Sequence, residues 1–171
     1  MTGTWGSVDS AGGLPRTRAA LRFARRCHSG QYRATDGAPF IEHPLEVGCL
    51  LAGSGAADHV IAAGVLHDVL EKTTVTEAEL HARFGPEVTS LVCAVSEDQS
   101  IKGYVKRKAA LRQQAAGAGP DALFVFAADK LSKVRELRAA IAAGRGPRRT
   151  FRRITAPAAS AQALQAHAGH P

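Results

Sequence analysis

Apolar residues recur every three or four positions through most of residues 16–143, which is the spacing of helices with one buried face. The first such stripe includes Leu21 and Ala24, and it predicts a helix over 16–29. No segment alternates for long between apolar and polar residues, as half-buried strands do. The best strand candidate is the short pair 40–41. The pattern therefore predicts an all-α domain.

Glycine, proline and capping residues divide the middle of the chain into further helices. Pro44 suits the first position of a helix that Gly53 would end. Thr76 and Glu79 form a capping box, in which each side chain binds a free amide of the other residue, and Gly85 would end the helix that follows. The remaining predicted helices cover 57–70, 86–95, 104–114 and 121–144, the last one capped by Asp121.

The composition is that of an ordinary globular domain. A length of 171 residues with 45% hydrophobic residues suffices to bury a core, which excludes wholesale disorder. The three cysteines (Cys27, Cys49 and Cys93) form no CxxC pair, so neither a disulfide framework nor a zinc knuckle is expected. Apolar stretches such as 123–128 fall far short of the ~20 residues that span a bilayer, and no signal peptide is visible. We therefore expect a cytoplasmic protein with no membrane partner.

The net charge of +7 is concentrated towards the C-terminal end of the sequence. Residues 144–171 carry five arginines and no acid, and we expect this basic, then Ala/Pro-rich segment to be a disordered tail. Residues 1–15 are expected to be a flexible leader. The predicted domain, 16–143, retains 17 basic and 14 acidic residues, a net charge of +3. By itself this excess fits a nucleic-acid partner, an anionic small substrate or simple solubility.

Four polar side chains lie within strongly apolar sequence: His43, His67, Asp68 and Asp129. Burying such groups costs several kcal/mol unless a partner binds them. Taken singly, each fits a core histidine with a hydrogen-bond partner or an aspartate that caps the backbone. Taken together, two imidazoles and two carboxylates form a donor set that suits Mn²⁺, Fe²⁺ or Zn²⁺. A metal site explains all four residues at once.

The order of these residues resembles the H…HD…D signature of the HD-domain metal-dependent phosphohydrolases. Other strings resemble the hydrolase domain of RelA/SpoT proteins and small alarmone hydrolases. These strings occupy 28–33, 37–47, 65–73, 84–88, 104–108 and 127–131. The likeness covers about 19–138, and it implies that the helices form an HD-domain bundle over 16–143.

The resemblance also implies roles for individual residues. His43, His67, Asp68 and Asp129 would bind one divalent metal ion, most commonly Mn²⁺ in this family. Glu71, one helical turn beyond His67 and on the same face, would position or activate the attacking water. Arg33 would pack against the guanine base. The implied reaction removes the 3′-pyrophosphate of ppGpp or pppGpp and releases GDP or GTP, so the expected partner is a phosphorylated guanine nucleotide.

Two lysines depart from the family pattern near the proposed site. Lys72 follows Glu71 where the family usually has an aspartate, and Lys133 replaces a common asparagine. A charged lysine binds phosphate but does not accept a proton from water. We therefore assign Lys72 with Glu71 to the catalytic set and Lys133 with Arg33 to substrate binding, while a solvated helix surface is the alternative for both lysines.

Other functions stay open at this level. The same chemistry could act on another phosphorylated nucleotide, such as NADPH. Because Lys72 replaces an acid, the protein could instead be a regulatory module that binds a nucleotide without hydrolysing it. Nucleic-acid binding through 145–153 is disfavoured, because aromatic residues are scarce there. The oligomeric state is left open.

Overall fold

The computed structural model describes residues 13–144, which form helices joined by loops and turns. Within that range the nearest approach to a sheet is an isolated antiparallel bridge between Tyr32 and Pro39. The prediction of an all-α domain is confirmed. The helices are α1 (Pro15–Cys27), α2 (Glu42–Gly53), α3 (Asp58–Leu66), α4 (Val69–Lys72), α5 (Glu77–Val95), α6 (Tyr104–Gly117) and α7 (Pro120–Ala142).

Helix α3 is the centre of the bundle. Every residue from Val60 to Leu66 is buried, and a helix that is apolar on all sides must be covered on all sides. Helices α1, α2, α5 and α7 provide that cover. The residues that follow α3, His67 and Asp68, consequently enter the interior of the fold.

Helices α2 and α3 are in close contact at Gly64. A Cβ atom at this position would lie 2.3 Å from Leu51 Cδ1 and 3.3 Å from Val47 Cγ1. Both of these side chains are fully buried, so neither can move aside without disturbing its neighbours. Only glycine permits this approach, which brings His43 of α2 close to the end of α3.

The single helix predicted over 57–70 is wrong in one respect. The structure has two helices there, separated by His67 and Asp68. The His67 ring turns back onto the carbonyl of Gly64, and Asp68 has a ψ of −6°. The hydrophobic pattern continues through this turn because both helices are buried, so periodicity alone does not reveal it.

Several predicted helix ends are confirmed and others are corrected. Thr76 caps α5 by accepting a hydrogen bond from the Glu79 amide, at 3.2 Å. α5 is broken at Gly85, where φ is +80°. Asp121 is not the cap of α7, because Gly119 occupies that position and Pro120 begins the helix.

The region before α2 also differs from the prediction. Residues 40–41 form a turn rather than a strand, and α2 begins at Glu42, two residues before Pro44. The apolar Phe40 is buried without belonging to a sheet, because it packs against the rings of His28 and His43. Packing of Phe40 against these rings, and not strand formation, thus explains the apolar pair 40–41 that follows Pro39.

The predicted leader 1–15 and tail 144–171 lie almost entirely outside the described residues, and they stay predictions. Within 13–144, no helix combines the length and apolar character needed to cross a bilayer.

Replacing Gly64 with alanine should destabilise the protein. The new methyl group would overpack the contact with Leu51 at a cost of about 1–3 kcal/mol, which exceeds the ~1 kcal/mol that alanine gains in helix propensity. Urea unfolding followed by circular dichroism measures the change. The control is Gly117→Ala, because nothing lies within 4 Å of a Cβ there. Equal midpoints for both variants would contradict the close approach.

Candidate metal centre

Four side chains from three parts of the chain meet at one buried point. Asp129 Oδ1 lies 3.2 Å from His43 Nε2 and 3.7 Å from His67 Nε2, and the two Nε2 atoms are 3.2 Å apart. Asp68 Oδ2 lies 3.3 Å from His67 Nε2 and 3.7 Å from His43 Nε2. α2 supplies His43, the turn after α3 supplies His67 and Asp68, and α7 supplies Asp129. The structure thus brings together the four side chains that the sequence predicts as metal ligands, and the donor atoms of His43, His67 and Asp129 all lie within 4.8 Å of one another.

The outer nitrogen of each imidazole has a partner that determines the tautomer. His67 Nδ1 lies 2.8 Å from the carbonyl oxygen of Gly64, which can only accept a hydrogen bond. His43 Nδ1 lies 2.8 Å from Ser132 Oγ, and that hydroxyl donates to Glu46 Oε2 at 2.9 Å. Both Nδ1 atoms therefore carry a hydrogen in the neutral rings, which leaves the Nε2 lone pairs directed at the shared point. Metal-binding histidines are oriented in this way.

The carboxylates require positive charge at the same point. Asp68 Oδ2 is buried without a hydrogen-bond partner among the described residues. Burial alone would raise the pKa of Asp68, but the charge of His67 holds that pKa well below its usual value. Burial alone would lower the pKa of His67, whereas the charge of Asp68 raises it to about 9. This pair of opposite shifts shows that the site favours a positive charge, and a divalent cation fits this donor set.

Asp129 is held from outside by a lysine. Its Oδ2 atom accepts a hydrogen bond from Lys130 Nζ at 2.6 Å, which leaves Oδ1 near the histidines. The Lys130 ammonium also lies 4.6 Å from the centre of the Phe126 ring. This pairing orients the carboxylate and offsets part of the cost of a half-buried charge in mid-helix.

Glu71 lies beside the four ligands with one oxygen fixed. Its Oε1 accepts a hydrogen bond from the backbone amide of Glu97 at 2.8 Å. Burial and the nearby charge of Asp68 raise the pKa of Glu71. The Glu97 carboxylate in turn pairs with Arg107 and Lys108 at the start of α6. A fixed carboxylate with a raised pKa is suited to accept a proton from water.

Lys72 lies on α4 and Lys133 lies on α7, and both are close to the aromatic ring of Phe40. Lys72 is exposed at the end of α4, and its Nζ is 5.4 Å from the centre of the Phe40 ring. Lys133 of α7 has its Nζ 5.8 Å from the same centre. It also lies 3.4 Å from Glu136 Oε2.

Arg33 is bound by two carboxylates in the loop before α2. Its guanidinium contacts Asp36 at 3.0 and 2.6 Å and Glu42 at 3.1 Å, and its side chain is 13% exposed. The loop itself is closed by hydrogen bonds between the backbones of Arg33 and Ala38 and of Gly37 and Arg33. The structure thus holds Arg33 rigidly, and its predicted contact with a base is not tested by these distances.

Sequence reasoning missed the residues that support the site. Ser132 lies three positions after Asp129 and Glu46 three positions after His43, so each shares a helix face with a ligand. That spacing is a usable signal once the ligands are known. Glu136 is 8% exposed and bonds Thr35, which joins α7 to the loop of Arg33. No local pattern distinguishes Glu136 from the solvated acids of other helices.

A family model described as an HD domain matches residues 20–162. The chain belongs to the HD-domain family. The family that the sequence resembled is confirmed, and the buried His43 and His67 form a candidate metal site with Asp129.

Several relatives of this HD domain have names that state an activity. Guanosine-3′,5′-bis(diphosphate) 3′-pyrophosphohydrolase MESH1 of Homo sapiens is 37% identical over 121 residues, which cover 69% of this chain and 67% of the relative. The bifunctional (p)ppGpp synthase/hydrolase SpoT of Escherichia coli is 38% identical over 96 residues, which cover 56% of this chain. The match spans only 14% of SpoT.

Solved structures also resemble this HD domain, among them the following two. One is a metazoan orthologue of SpoT described as hydrolysing ppGpp, with a TM-score of 0.67 and 29% identity over 73% of this chain and 71% of the other. The second is lmo0812 of Listeria monocytogenes, with a TM-score of 0.56 and 33% identity over 62% and 67% of the two chains.

Replacing Ser132 with alanine should weaken metal binding by about 10–100-fold, because His43 loses the group that orients its ring. Isothermal titration with Mn²⁺ measures the dissociation constant. Ser54→Ala is the matched control, since Ser54 is exposed and bonds only its own helix at Leu50. An unchanged affinity in Ser132→Ala would show that the hydroxyl does not support a ligand.

Proposed function

We propose that this chain is a metal-dependent guanosine-3′,5′-bis(diphosphate) 3′-pyrophosphohydrolase. The observation that carries the proposal is the convergence of two Nε2 lone pairs and two carboxylates beside Glu71, a base with a raised pKa. The reaction hydrolyses ppGpp or pppGpp to pyrophosphate and GDP or GTP. The stated activities of MESH1 and of the metazoan SpoT orthologue support the choice of substrate.

The metal would be held by His43, His67, Asp68 and Asp129. This mixed nitrogen and oxygen set suits Mn²⁺, which we propose as the ion. When bound, such an ion polarises a phosphate oxygen and lowers the pKa of a coordinated water. The buried position of the imidazoles excludes bulk water from the inner side of the site.

Glu71 accepts the proton of the attacking water in this proposal. The Glu97 amide holds one oxygen of its carboxylate, so the other is free to meet the water. The water oxygen forms a bond to the phosphorus next to the ribose 3′ oxygen, the bond between that phosphorus and the 3′ oxygen breaks, and the 3′ oxygen gains a proton. Lys72 acts as a point charge on phosphate, while Arg33 and Lys133 bind the nucleotide.

We place this activity in the cytoplasm, where it would remove the alarmone of the stringent response. The thiols of Cys27, Cys49 and Cys93 are free, as a reducing compartment would keep them. The nucleotide is the partner of this site, and no nucleic acid is required.

A second candidate function follows from Lys72. The exposed ammonium beside the site stands where the family usually has an acid, so a module that binds the nucleotide without turnover is the alternative. Tight binding of ppGpp without hydrolysis, together with turnover restored by Lys72→Asp, would favour it.

The purified chain with Mn²⁺ should release pyrophosphate from ppGpp, and Glu71→Gln should lower kcat by about 100-fold or more. The physical reason is the loss of the proton acceptor without loss of the metal ligands, so Mn²⁺ affinity should stay the same. Phosphate release, measured colorimetrically after pyrophosphatase treatment, follows the reaction. Glu87→Gln serves as control, because Glu87 is exposed and pairs with Arg16.

Release of pyrophosphate at the background rate would contradict the proposed substrate. If NADPH or another phosphorylated nucleotide is hydrolysed instead in a Glu71-dependent manner, the chemistry stands and the substrate changes.

A further inference from the structure

Two lysines occupy equivalent positions relative to two metal ligands. Lys72 lies four residues after Asp68, and Lys133 lies four residues after Asp129. Residues four apart on a helix lie on one face, about 5–6 Å apart at their Cβ atoms. α7 is a regular helix here, and α4 begins at Val69 directly after Asp68. Both ammoniums therefore border the metal ligands from neighbouring elements.

The Phe40 ring joins these lysines into one site. Their Nζ atoms lie 5.4 and 5.8 Å from its centre, within the range of cation–π attraction. Phe40 is 8% exposed and is packed between His28 and His43, with ring centres 4.9 and 6.1 Å away. The ring is thus a rigid support that keeps two positive charges next to the buried ligands.

The charge of this pair is incompletely balanced. Lys133 has Glu136 at 3.4 Å, and that carboxylate also bonds Thr35. Within residues 13–144, no carboxylate oxygen lies within ion-pair distance of Lys72 Nζ. Lys130, by contrast, is already paired with Asp129. A multiply charged anion is the kind of ligand that would complete the site.

We infer that Lys72 and Lys133 form a subsite for the second phosphate of a pyrophosphoryl group whose first phosphate lies at the metal. The inference rests on the proposed function and adds to it a basis for specificity. One helical turn separates each lysine from its ligand, so the ammoniums meet a neighbouring phosphate and not the metal-bound one. The site selects pyrophosphoryl compounds over those with a single phosphate.

Binding of two inorganic probes tests the subsite without the guanosine. Imidodiphosphate, which resists hydrolysis, and inorganic phosphate are titrated into the Mn²⁺-loaded protein, with the same Mn²⁺ concentration in both solutions. Wild type should bind imidodiphosphate at least about tenfold more tightly than phosphate, as expected for one added charge-assisted contact.

Removing either ammonium should reduce that preference. Lys72→Met and Lys133→Met keep the apolar stem, and each should weaken imidodiphosphate binding by about tenfold while phosphate binding changes by less than about twofold. Lys133→Arg keeps the charge and should retain the preference. Lys106→Met is the control, because Lys106 is an exposed lysine of α6. Thermal melting and Mn²⁺ affinity verify that each variant is folded and holds metal.

The outcomes separate the subsite from the reaction. Equal binding of the two probes by wild type, or an unchanged preference in both methionine variants, would overturn the subsite even if ppGpp is hydrolysed. A preference that depends on both lysines, in a protein that leaves ppGpp intact, would support the subsite and refute the proposed reaction.

Discussion

The main constraint on the structure is the electrostatic repulsion among four electron-rich atoms that meet at one buried point. The two imidazole Nε2 atoms are 3.2 Å apart, and each lies 3.2–3.7 Å from one oxygen of Asp68 and one of Asp129, with little access to water. Such an arrangement is stable only when a cation occupies its centre, whether a proton or a metal ion. Helices α2, α3 and α7 must be fixed firmly enough to resist the repulsion. The core around α3 provides that rigidity, and the absence of a side chain at Gly64 lets α2 and α3 meet closely enough to face the ligands inward.

Hydrogen bonds around the buried point also fix the helices that carry these side chains. Ser132 and Glu46 link α7 with α2 through the His43 ring, so the hydrogen bonds that choose its tautomer also hold two helices together. The Gly64 carbonyl performs the same task for His67. The same hydrogen bonds therefore orient the histidine rings and hold the helices together. A substitution that loosens one would also disturb the other.

Sequence reasoning singled out the four side chains that meet at the buried point, because charged residues inside apolar runs are costly and need an explanation. It also identified the helices, whose apolar spacing follows from burial of one face. It did not find the turn at His67, the burial of Phe40 without a strand, or Gly119 as the cap of α7. Gly119 followed by Pro120 is a local signal that the prediction passed over. The turn at His67 and the burial of Phe40 depend instead on packing around α3 and on the neighbouring histidine rings, which hydrophobic periodicity does not reveal. Glu136 is similar, because only its contact with Thr35 distinguishes it from a surface acid.

Helix α6 is attached to the rest of the protein largely through polar contacts. Among its described side chains only Leu111 and Ala115 are buried, while Gln114 binds the carbonyls of Cys93, Ala94 and Ser96. The ion cluster of Glu97 joins α6 to the segment whose amide holds Glu71. Salt screens such partly exposed charges more than it screens the buried ligands. The orientation of the Glu71 carboxylate should therefore respond to ionic strength, while the geometry of the four buried side chains should be insensitive to the surrounding electrolyte.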